Sequence, residues 1–153
     1  MKRTLLHVAA AALGCAVAST ALAGTVEPDA VAFEDGAVAA SLTGVAGDAA
    51  KGKEWFVGRK LGNCLACHQN SDTSNELFHG EVGPALDGVA DRWSEDELRG
   101  IVTNAKMMFD GTIMPSFYRS HGGARTREEF QGKTILSAQQ VEDIVAYLKT
   151  LKE

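Results

Sequence analysis

The residues best equipped for chemistry lie together in Cys64-Leu65-Ala66-Cys67-His68. Two thiols separated by three positions stand on one side of a single helical turn, and the next residue is an imidazole. That pattern suits a porphyrin: the thiols add to its two vinyl groups as thioethers, and the imidazole turns beneath the ring to bind iron. A redox dithiol would need a strand-helix context, and a zinc site would need a second Cys or His pair. Neither is present around this motif. The spacing therefore predicts one covalently bound haem c, attached at Cys64 and Cys67, with His68 as an axial iron ligand.

The opposite iron face needs its own ligand, and after the first 23 residues the chain offers Met107, Met108, Met114, His79 and His121. Ser94 and Glu97 form a capping box before apolar residues at Leu98, Ile101, Val102, Ala105 and Phe109, so a helix is predicted there. On that helix Met108 falls beside the apolar stripe, as core filler does, and Met107 lies opposite if the helix lasts so far. Met114 stands in Gly111-Thr112-Ile113-Met114-Pro115, an irregular stretch stiffened by proline, which can swing over a haem face. Met114 is the expected sixth ligand. His79 and His121 read as surface histidines. Iron closed by imidazole and thioether leaves no position for oxygen or peroxide, and the thioether favours ferrous iron, as suits an electron acceptor.

The remaining elements frame this site. Asp48 is a plausible N-cap for a helix before the haem motif, and Ser137 with Gln140 caps a last helix whose stripe is Val141, Ile144, Val145, Leu148 and Leu151. Long segments run from Gln69 to Glu81 and from Ser116 to Thr134, the second carrying Arg119, Arg125 and Arg127. A charge run of that kind is ordinarily a solvated face. The expected fold is all-α, with helices packed around one haem, an N-terminal extension and long loops.

At 153 residues the chain suits one packed domain. Lys2 and Arg3 precede an apolar run from Leu5 to Leu22 that ends in Ala21-Leu22-Ala23, the form of a cleaved export signal. The expected organisation is a leader over 1–23, which would discard Cys15, an extension over 24–46, and a haem domain over 47–153. The expected location is the periplasm, without a membrane anchor. Loss of the leader moves the formal charge from −5 to −7, and an acidic surface argues against nucleic acid as a partner. Apolar stretches in the extension, Ala37-Val38-Ala39-Ala40 and Leu42-Thr43-Gly44-Val45, either fold onto the domain or hold another protein.

Gly47-Asp48-Ala49-Ala50-Lys51-Gly52-Lys53 with Phe56, and Asp143-Ile144-Val145-Ala146-Tyr147-Leu148-Lys149, resemble the opening and closing helices of class I cytochromes c. The resemblance implies that these helices cross, with Gly52 and Phe56 against Ile144 and Tyr147. Gly83-Pro84-Ala85-Leu86-Asp87-Gly88 resembles the segment in which the proline carbonyl accepts the Nδ1 hydrogen of the haem histidine, so Pro84 is expected to orient His68. More narrowly, Gly62 to His68, Gly83 to Val89, Ala105 to Phe109, Met114 to Tyr118 and Leu136 to Leu148 resemble the SoxX family of monohaem cytochromes. That resemblance implies a heterodimer with a SoxA-like subunit that carries the catalytic site. The pair would act as an L-cysteine S-thiosulfotransferase, joining thiosulfate to a cysteine of the carrier SoxYZ. The electrons would pass through this chain to a soluble cytochrome c. A free periplasmic electron carrier, and a ligand-binding haem sensor with a weak sixth ligand, are the competing classes.

Overall fold

The computed structural model describes residues 24–153; the expected leader and Cys15 lie outside them. Four α-helices in the order α1 (Ala49–Val57), α2 (Val89–Arg92), α3 (Glu95–Asn104) and α4 (Ala138–Leu148) are joined by short 3-10 turns and long loops. Among the described residues there is no β-strand longer than an isolated bridge, and no helix is long and apolar enough to cross a membrane.

The predicted caps form. Asp48 accepts from the amides of Ala50 and Lys51, and capping boxes start α3 at Ser94 and α4 at Ser137. Each cap satisfies amides that a helix start otherwise leaves without partners. Helices α1 and α4 cross at glycine: a Cβ on Gly52 would collide with the Asp143 carbonyl oxygen and come within 2.8 Å of the Tyr147 Cβ. Gly47 meets the Glu142 carbonyl in the same way. Phe56 packs edge-on against Tyr147 with ring centroids 5.4 Å apart, as the resemblance implied. The carboxylate of Asp143 ties the crossing together by accepting from the Asp48 amide at 2.9 Å, Gln139 Nε2 at 3.0 Å and Trp55 Nε1 at 3.3 Å. Around it Val141, Ile144, Val145, Leu148 and Leu151 are buried, each worth roughly 1.5 to 3 kcal/mol relative to exposure.

Helix α3 ends earlier than its apolar spacing suggests. Asn104 leaves helical geometry, and its side-chain oxygen accepts from the Lys106 amide and the Ser116 hydroxyl, a local competition that breaks the helix. Ala105–Met107 continue as a 3-10 turn. Met107 is therefore exposed, and Phe109 moves out of the stripe to meet Trp93 edge-on. Short helix α2 has no counterpart in the sequence reading. It follows Gly88, whose φ of +63° allows the sharp entry.

The extension folds onto its own domain. Val38 and Leu42 are buried in the core, the Val38 amide donates to Asp96 O, and the Leu42 amide donates to Glu142 Oε1 at 2.6 Å. Arg99, only 4% exposed, joins the pieces through Glu142, the Val38 carbonyl, Asp96 and Glu95. Gly36 packs against Gly100 and the backbone of Met108, so Met108 meets the extension.

Candidate haem site

Helix α1 stops at Gly58, and the chain turns through Asn63, which adopts left-handed geometry at φ 48°. Cys64–Ala66 then form a 3-10 turn, with the amides of Cys67 and His68 donating to Cys64 O at 3.1 and 3.0 Å. In a turn of three residues, positions i and i+3 eclipse. Cys64 and Cys67 thus share one side of the turn, and no disulfide joins them. Burial pushes the Cys64 thiol up to about 12, with the Cys67 neighbour adding to the shift.

The loop beyond the motif returns over it. Gly80 N–H donates to Leu65 O at 2.7 Å, Gly83 N–H to Cys67 O at 2.7 Å, and Leu86 N–H to Gln69 O at 2.9 Å. Those bonds bring the Pro84 carbonyl to 2.7 Å from His68 Nδ1. Because a carbonyl only accepts, Nδ1 carries the hydrogen and Nε2 keeps its lone pair for a metal. Gly83 lies flat against the ring: a Cβ there would stand 2.6 Å from Nδ1 and 2.8 Å from Nε2. The loop is braced from α4 by Tyr147, whose hydroxyl accepts from Asn70 Nδ2 at 2.8 Å and donates to Asp72 Oδ2 at 2.7 Å. Lys53 holds that carboxylate from α1 at 2.9 Å and, with Tyr147, keeps Asp72 below the usual carboxylate range.

Met114 is half-buried, packed against the hydrophobic core at the end of an otherwise exposed loop. Its amide donates to Thr112 Oγ1, and its carbonyl accepts from Lys106 Nζ at 2.7 Å. The histidines are engaged elsewhere. His79 Nε2 donates to Thr73 O at 3.0 Å while Nδ1 accepts from the Asn70 amide, and His121 Nε2 donates to Ser116 O at 2.8 Å. Sequence reasoning missed Lys106, which no motif flags, and the His121 bond, which requires Ser116 to be placed first.

These residues fit haem. Two thiols on one turn match paired vinyl groups, His68 is oriented with Nε2 available, and a glycine clears the imidazole face. Apolar side chains at Leu77, Phe78, Val82 and Ile113 remain exposed by the protein alone.

The cytochrome c family profile matches residues 49–152. Among solved structures, SoxXA from P. pantotrophus is 48% identical, covers 84% of this chain and 99% of its own, and superposes with a TM-score of 0.79. This chain belongs to the SoxX family of cytochromes c. It accordingly carries covalently bound haem c, in the all-α cytochrome c fold. The c-type cytochrome SorU from Sinorhizobium meliloti is 25% identical over 68% of this chain and 90% of its own, with a TM-score of 0.45. Ferric cytochrome c-550 from Paracoccus versutus is 23% identical over 70% and 99%, at 0.39. No curated protein matches the chain. The SoxX match extends well before residue 49, consistent with an extension that is integral to the fold.

Proposed function

We propose that this SoxX-family chain is the electron-transfer subunit of a SoxAX-type complex, exported to the periplasm after removal of residues 1–23. The likeness to SoxXA over nearly that whole chain carries the reading. Cys64 and Cys67 would anchor the haem, His68 and Met114 would bind its iron, and Pro84 O, 2.7 Å from His68 Nδ1, fixes the ring of His68. Haem, when bound, supplies a one-electron couple. The chain's own residues would supply the iron ligands and hold them oriented, so that electrons enter and leave with little rearrangement. A SoxA-like partner carries the bond chemistry, in which a carrier thiol on SoxYZ and thiosulfate form a sulfur-sulfur bond, releasing one proton and two electrons. The electrons pass singly through this subunit to a soluble cytochrome c.

The test is co-purification with the SoxA-like subunit, followed by an assay for thiosulfate on the carrier cysteine. The chain alone should be reduced and reoxidised but give no thiosulfate-dependent turnover, and adding the partner should establish turnover. A monomer that captures no partner yet exchanges electrons rapidly with oxidases or reductases would instead establish a free electron carrier.

A further inference from the structure

The loop carrying Met114 is held by hydrogen bonds far more than by burial. Gly111 adopts φ +72° with open space around it, Ile113 is 80% exposed, and Pro115 is exposed. Beyond Met114 the chain is firmly placed: Ser116 Oγ donates to Asn104 Oδ1 at 2.6 Å, His121 Nε2 donates to Ser116 O, and Tyr118 N–H donates to Thr103 O at 3.0 Å. Before Met114 two side chains support it: Thr112 Oγ1 accepts from the Met114 amide at 3.2 Å within the loop itself, and the link to the rest of the domain comes from Lys106. Lys106, on the 3-10 turn that follows α3, donates through Nζ to Thr112 O at 3.1 Å and to Met114 O at 2.7 Å. An ammonium has three donors, and two of them span the residues that lead into the methionine. Bonds from a charged donor are stronger than those between neutral groups. A loop whose one apolar contact with the core is the half-buried Met114 side chain depends on them more than a buried loop does.

We propose that Lys106 is a positioning residue for the sixth ligand: its ammonium clamps the carbonyls of Thr112 and Met114 and so keeps the thioether seated against competing ligands. The inference rests on the proposed ligation by Met114. Losing the clamp leaves Met114 chemically intact but raises the population in which the loop has opened. Exogenous ligands bind only to that population, so their apparent affinity rises with it.

The experiment uses the haem-loaded protein with Lys106→Leu, the conservative Lys106→Arg, and Lys152→Leu as a control for the loss of one exposed lysine. Imidazole binding to ferric protein, the sulfur-to-iron near-infrared band, and the urea dependence of that band against helix content are followed together. Lys106→Leu should keep the band without denaturant, bind imidazole on the order of tenfold more tightly, and lose the band at lower urea than its helices. Lys106→Arg should restore wild-type behaviour, and Lys152→Leu should match wild type. Should Lys106→Leu give no holoprotein, Lys106→Gln carries the same comparison. Unchanged imidazole affinity and band loss in the Lys106 variant, or an equal effect from Lys152→Leu, would overturn the clamp. A wild-type protein without the band would overturn ligation by Met114 itself, a separate result.

Discussion

Placing a methyl group at Gly83 should raise the reduction potential, because it strikes the ring that the neighbouring carbonyl orients. The Cβ of Gly83→Ala would lie 2.6 Å from His68 Nδ1 and 2.8 Å from Nε2, closer than real Cβ contacts allow. The loop cannot retreat easily, since Gly83 N–H is tied to Cys67 O at 2.7 Å and Leu86 N–H to Gln69 O at 2.9 Å. The imidazole must yield, and the 2.7 Å bond from Nδ1–H to Pro84 O is lost or lengthened. That bond makes the ring a stronger donor and so favours ferric iron. A net hydrogen bond is worth about 0.5 to 1.5 kcal/mol. With about 1.4 kcal/mol to a factor of ten and about 59 mV to a factor of ten for one electron, losing it from the ferric state raises the potential by about 20 to 60 mV. Spectroelectrochemical titration of wild type and Gly83→Ala measures the shift, and the Nδ1–H proton resonance reports the bond. A potential that is unchanged or lower, with the same axial ligands in the spectrum, would refute the link between this loop and the iron.

Two further outcomes concern the frame. Arg99→Leu removes the partner of buried Glu142 and should cost about 3 to 5 kcal/mol in denaturant unfolding, with much of the loss recovered in Arg99→Leu/Glu142→Leu; a loss near zero would mean that the pair does not lock the extension. Asp72, held below its usual range by Lys53 and then Tyr147, contributes stability that is present above the unfolded carboxylate value and disappears as pH falls through its lower folded value. Tyr147→Phe should therefore flatten the decline in stability below about pH 4, seen in unfolding midpoints across acidic pH.

What the sequence disclosed was local. Cys64-Leu65-Ala66-Cys67-His68 is one turn, the Asp48, Ser94 and Ser137 caps act within three residues, and Gly52 with Phe56 lies on a helix whose neighbour the family resemblance supplied. The stripe of α4 was legible because its burial is one-sided and periodic. The end of α3 was not: the Asn104 side-chain oxygen that competes with the helix holds both the nearby Lys106 amide and Ser116 Oγ, and the second contact is made only after the chain returns. The same holds for Arg99, which reads as an ordinary helix-surface arginine until Val38 and Glu142 close over it. Lys106 is the clearest case in the site, since its role depends on a loop geometry that has no periodicity.

The most direct test of the account is the near-infrared spectrum and potential of Met114→Ala beside Met108→Ala. With His68 and Met114 on the two iron faces, Met114→Ala abolishes the sulfur-to-ferric-iron band and lowers the potential. Met108, packed at Gly36, is expected to leave both nearly unchanged when replaced. A band that persists in Met114→Ala, or vanishes in Met108→Ala, would contradict the assignment.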